Sequence, residues 1–158
     1  MNVKKYPVSI ASYSFHGLLA EGKTNVFTYL EDLKYRYNVE YADISSMFLP
    51  DFNNADCVDE ALLKKIKFSM DEKGITLANL CVDVNIWDND KERRELNYKG
   101  AFNYMKAAQI LGAKTIRIDL GVHEDIITDE QFDYVVKVYK ELAVLAKDTD
   151  MRVGTENH

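Results

Sequence analysis

Cysteine is scarce in this chain of 158 residues: Cys57 and Cys81 stand far apart, with no Cys-x-x-Cys pair. That argues against a disulfide framework or a zinc knuckle and suits a reducing compartment, so a cytoplasmic protein is expected. Basic residues are in deficit, 20 Lys and Arg against 26 Asp and Glu, for a net charge of −6. Nucleic acids and anionic membranes are met by clustered Lys and Arg, so neither is an expected partner. The two basic stretches, Lys64-Lys65-Ile66-Lys67 and Arg93-Arg94, are diluted by nearby acids and read as solvated helix faces. No apolar run approaches the about 20 residues of a membrane span. Lys4-Lys5 ahead of residues 8–20 faintly imitates a signal peptide, but Ser9, Ser12, Ser14 and His16 interrupt the run, which reads better as a first strand. The chain also lacks a Gly-x-Gly-x-x-Gly after that strand, which weakens a dinucleotide-binding reading.

What is present is a regular alternation. The composition, 47% hydrophobic and 29% charged, fits one soluble domain over residues 1–158. Strands are predicted at 6–11, 39–44, 75–82, 114–120 and 151–156. Between them lie four amphipathic helices. The first starts at Thr24 as N-cap and carries Val26, Leu30, Leu33 and Tyr37, with Asn38 placed for a left-handed C-terminal turn. Asp56 and Asp59 open the second, whose stripe is Leu62, Ile66 and Met70 and which Gly74 closes. The third carries Tyr98, Phe102, Met105 and Ala108 and ends at Gly112. Thr128 and Gln131 form a capping box for the fourth, with a stripe of Phe132, Val135, Val136, Tyr139, Leu142 and Ala146. The period of roughly 30–40 residues is that of a βα unit. Strict alternation implies a parallel sheet with right-handed crossovers.

Strand polarity chooses between parallel architectures. Strands buried on both faces read as continuous aliphatic runs. Here Ile116, Ile118 and Leu120 alternate with Thr115, Arg117 and Asp119. Val8 and Ile10 alternate with Ser9 and Ala11, Tyr41 and Asp43 share a face, and so do Asn79, Cys81 and Asp83. One face is therefore expected to pack on helices while the other, polar or small, lines the lumen of a (β/α) barrel. Arg117 and Asp119 would form either a structural lumen ion pair or part of a substrate site.

The last eight residues, Met151–His158, end on Glu-Asn-His. Residues two apart in a strand share a face, so Glu156 and His158 would point together above Gly154. A carboxylate and an imidazole at the C-terminal end of a buried strand suggest a metal or acid/base site; the alternative is a frayed, solvated terminus.

Four segments resemble the sugar phosphate isomerase/epimerase family of xylose-isomerase-like TIM barrels. They are Ser12-Tyr13-Ser14-Phe15, Val82-Asp83-Val84-Asn85-Ile86-Trp87, Ile116-Arg117-Ile118-Asp119-Leu120-Gly121 and Gly154-Thr155-Glu156-Asn157-His158. The resemblance covers the first half of that fold: four βα units plus a fifth strand. It implies that Glu156 is a divalent-metal ligand, that His158 is the adjacent pocket residue, and that Arg117 and His16 face the cavity and bind substrate. It further implies isomerisation or epimerisation of a sugar or sugar phosphate by proton transfer, with Mn²⁺, Mg²⁺ or Zn²⁺ as cofactor.

An eight-stranded barrel typically takes about 250 residues. One Glu and one His fall short of the three or four protein ligands usual for a divalent site. The chain is therefore read as part of a longer enzyme, or as a half-barrel completed by another chain, inactive alone and prone to self-association through its open strand edges. Other signals weigh less. Asp83–Trp87 begins like a calcium loop, but Asp88 replaces the required Gly and Arg94 the bidentate Glu. His123, beside Glu124 and Asp125, reads as solvated. Trp87 would cap the barrel mouth or anchor a core, and Met47, Phe48 and Leu49 would line a pocket or fold over the barrel end. The DNA-cleaving endonuclease IV type shares the fold group, but the acidic balance opposes it.

Overall fold

A computed structural model describes residues 7–53, 55–122 and 126–156. Five strands, β1 (Ser9–Ala11), β2 (Tyr41–Ser45), β3 (Thr76–Asn85), β4 (Thr115–Asp119) and β5 (Arg152–Gly154), form one parallel sheet in the order β1-β2-β3-β4-β5. Sequential order without reversal is that of a singly wound barrel. A doubly wound sheet switches direction at a central strand. Helices α1 (His16–Ala20), α2 (Val26–Glu31), α3 (Glu60–Lys73), α4 (Lys91–Leu111) and α5 (Asp129–Ala146) fill the connections. The alternation and the parallel pairing are as the sequence predicts.

Several boundaries differ. β1 is shorter than predicted: it pairs β2 only over Ser9–Ala11, and Val8 is exposed ahead of it, not on the helix side. β2 and β3 run further toward their C-terminal ends, and β5 is confined to three residues. Asn25, not Thr24, caps α2, accepting from Phe27 N and Thr28 N while Thr28 returns the bond. The helix then widens into a π turn over residues 32–36, and Asn38 takes the predicted left-handed conformation at φ 52°. Asp59 alone caps α3, since Asp56 pairs with Lys99 of α4. Gly74 and Gly112 close α3 and α4, and the Thr128–Gln131 capping box opens α5 as expected.

The core lies between the helices and one face of the sheet. Ile44, Leu80, Val82, Ile116 and Ile118 are wholly buried there against Leu30, Leu33, Leu63, Ile66 and Met105. The buried stripes are wider than those predicted: Leu63 joins Ile66 and Met70 on α3, with Leu62 partly buried, and Ala101, Tyr104 and Ala107 join Met105 and Ala108 on α4. On α5 the inward face is Gln131, Val135, Val138, Leu142 and Ala146, leaving Phe132 exposed. Tyr29, fully buried on α2, reaches the β1–β2 junction. Its hydroxyl donates to Ile10 O and accepts from Asp43 N at 3.1 Å, and burial holds its pKa well above the usual phenol.

The loops after the strands are tied to their neighbours. Ser12 Oγ accepts from Ser45 N at 2.8 Å, and Ser46 Oγ from Asp83 N at 3.0 Å. Trp87 N donates to Leu120 O at 2.8 Å. Gly121 follows at φ 76°, where an added Cβ would lie 2.3 Å from Trp87 O, so only glycine allows this approach.

Candidate functional site

Register turns the polar strand face into rows. Ala11, Asp43, Asn79 and Thr115 are successive Cα partners across the sheet, and so are Ser45, Cys81, Arg117 and Gly154. Such layers of inward side chains characterise barrel interiors. In the second row the residues around Arg117 are small, which gives its long side chain room to extend along the concave face. Ala11, Asp43 and Asn79 of the first row and Ser45, Cys81 and Arg117 of the second, with Asp83, Asp119 and Glu156, border a cavity of about 530 Å³ at the C-terminal ends of the strands. The helix side of the same strands is dry.

Arg117 is the hub. Its Nη1 bonds the Glu156 carboxylate and lies 3.6 Å from Asp119 Oδ1, while Nη2 is 2.8 Å from Cys81 Sγ. Burial opposes its charge, but the hydrogen bond it donates to Glu156 and the nearby Cys81 and Asp119 prevail, and its pKa rises. Burial also pushes the Cys81 thiol up, against the pull of Arg117. On the neighbouring row Asn79 Nδ2 donates to Asp43 Oδ1 at 3.2 Å. Burial, the larger influence, raises the Asp43 carboxyl above its ordinary range despite that bond and Arg117.

The structure brings Arg117 and Glu156 together at this cavity, with Glu156 one residue past Thr155 and half exposed. His16 sits elsewhere. It is exposed, bonds Tyr13 O through Nδ1 at 2.8 Å, and stacks on the Tyr13 ring at 4.9 Å; Tyr13 is the residue that reaches the cavity wall. His158 lies outside the described residues, as do His123, Glu124 and Asp125. Met47 lines the cavity while Phe48 and Leu49 are buried in the core. Trp87 is buried beside the strand ends, donating to Asn89 Oδ1 at 3.1 Å, with the Arg94 guanidinium 4.0 Å over its ring and Tyr134 edge-on.

The sequence places Asp43, Asn79, Cys81 and Asp83 on the polar face without giving them a role in the site, and leaves Asp119 between an ion pair with Arg117 and a substrate role. The missing signal was register, which sets Asp43 beside Asn79 and Cys81 beside Arg117. Among the described residues no three His, Cys, Asp or Glu side chains are grouped to hold a metal ion, and the Glu156 carboxylate is engaged by Arg117. These residues alone do not fit a divalent site.

A family model described as xylose isomerase-like TIM barrel matches residues 38–158. Among solved structures, the chain is similar to the IOLI protein with a binding zinc atom, with a TM-score of 0.69 and 17% identity over 95% of this chain and 51% of that one. It is similar also to 3-keto-D-glucoside 4-epimerase from E. coli, at TM-score 0.61 and 16% identity over 83% of this chain and 50% of that one. A sugar phosphate isomerase/epimerase from Parabacteroides distasonis gives TM-score 0.64 and 13% identity, covering 99% of this chain and 53% of that one. At these identities the likeness is one of fold. This chain spans about half the length of each of the three. A search of curated proteins found no match. Among the described residues no helix is long and apolar enough to cross a membrane.

Proposed function

The chain belongs to the xylose isomerase-like TIM-barrel family, and on that premise we propose that it forms, as one domain, the first half of a sugar or sugar-phosphate isomerase or epimerase. The observation that carries this reading is the clustering of Arg117, Asp119 and Glu156 at the C-terminal ends of the strands, around a cavity on the concave face. Barrel enzymes hold their substrates at that end. In this reading Arg117 orients both Glu156 and the sugar, and the Asp43–Asn79 pair offers an acceptor and a donor to sugar hydroxyls. The proton-transfer base is supplied by the complementary half of the barrel. His16 acts through Tyr13, on which it stacks, and His158 is a further substrate-binding residue of this reading.

A divalent ion, Mn²⁺, Mg²⁺ or Zn²⁺, belongs to this proposal. When bound it would polarise the hydroxy-carbonyl group of the sugar. Glu156 is the ligand this chain offers, and the others come from the complementary half. Alone, the chain is inactive and self-associates through the edges of β1 and β5, which present unpaired backbone N–H and C=O groups.

Reading the coding sequence past His158 tests the proposal. An in-frame continuation with Asp, His and Glu at strand ends supports it, and in that longer protein Glu156→Gln should abolish both calorimetric metal binding and turnover. A stop codon, with a monodisperse monomer by light scattering, would sink both the enzyme reading and the predicted self-association.

A further inference from the structure

Resting on the proposed sugar site, we infer that the sugar this cavity accepts is uncharged: the wall takes hydroxyl groups and turns away a phosphate ester. Among the described residues, the charges facing the cavity are Asp43, Asp83, Asp119 and Glu156 against the guanidinium of Arg117. Arg117 is already committed to Glu156, Cys81 and Asp119, so a phosphate reaching it would compete with two carboxylates inside a wall of excess negative charge.

The other phosphate holder of α/β folds is a helix N-terminus, whose N–H groups and dipole favour an anion. The five-residue α1 after β1 has no side-chain cap, whereas the long helices after β2, β3 and β4 each begin under one. Asp59 accepts from Leu62 N on α3, Asp90 from Glu92 N and Arg93 N on α4, and Thr128 from Gln131 N on α5. Two of those three caps are carboxylates, which place negative charge where a phosphate would have to sit.

What the wall offers suits a neutral polyol. Carboxylates accept from hydroxyls, and Asn79 both donates and accepts next to Asp43. Tyr13 and Met47 add apolar surface at the rim for the C–H face of a sugar.

The experiment follows the side-chain resonances of Asn79 and Arg117 by NMR in the isotopically labelled 158-residue chain. D-fructose, D-fructose 6-phosphate and inorganic phosphate are titrated separately. D-fructose should shift both resonances, inorganic phosphate neither, and the 6-phosphate should bind at least tenfold more weakly than the free ketose. If either phosphate perturbs Arg117 as strongly as D-fructose does, the inference is overturned while the isomerase reading stands. If no probe moves either resonance, the inference and the reading of this cavity as a sugar site both fall.

Discussion

The two faces of this sheet are made by the same five strands, residue by residue in alternation, yet they obey different physics. On the helix side Ile116 and Ile118 are wholly buried in a continuous aliphatic layer, where stability scales with the apolar area removed from water. On the concave side Thr115 and Arg117 keep partial access to solvent while Asp119 is buried, and all three are held by hydrogen bonds and charge. The first face is tolerant of which aliphatic residue fills it and intolerant of lost volume. The second is tolerant of lost volume and intolerant of a changed charge. A fold that segregates its functions this way can vary its chemistry without rebuilding its core.

Substitutions on each face separate these effects. The largest loss is expected from Ile118→Ala, which empties a fully buried site and should cost about 2–5 kcal/mol in urea unfolding. Arg117→Met should cost less, about 1–2 kcal/mol, because half-exposed Glu156 is screened by water once its partner is gone. Its distinctive signature is electrostatic. Without the guanidinium the Cys81 thiol should titrate at higher pH still, read as a shift in the pH profile of iodoacetamide labelling. An unchanged profile would show that Arg117 does not govern this face.

Asp43→Asn tests the sign of burial on the concave side. The folded protein holds the Asp43 proton more tightly than the unfolded chain does, because burial raises its pKa. Ionisation therefore removes stability as pH climbs from the ordinary carboxylate value of about 3.9 through the raised one. The variant keeps the acceptor that Asn79 uses, so its melting temperature should exceed that of the parent at neutral pH. That gain should disappear below the ordinary carboxylate pKa. A gain that persists in acid would mean that packing, not charge, is responsible. Cys81→Ser should change stability least, by less than about 1 kcal/mol, since serine keeps a partner for Arg117 in nearly the same volume.

Much of this architecture was legible in the chain itself. Gly74 and Gly112 at helix ends, the Thr128–Gln131 box and the left-handed Asn38 are local devices, and local devices survive without knowledge of the rest of the fold. Period-two alternation likewise determined which strand residues face helices, because a one-residue slip would turn Arg117 into the core. Tertiary structure decided the rest. It set which residue of a helical stripe is innermost, Leu63 and not the partly buried Leu62 beside Ile66 and Met70, because that depends on the helix's crossing with the sheet. His16 bonds Tyr13 and does not line the cavity because a 3-10 turn over Ser12–Phe15 follows β1 directly and sets it three residues after Tyr13. The site itself, with Asp43 beside Asn79 and Arg117 between Cys81 and Glu156, joins residues 36 to 39 positions apart. Each strand carries its own alternation, but only hydrogen-bonded register between strands determines which inward side chains become neighbours.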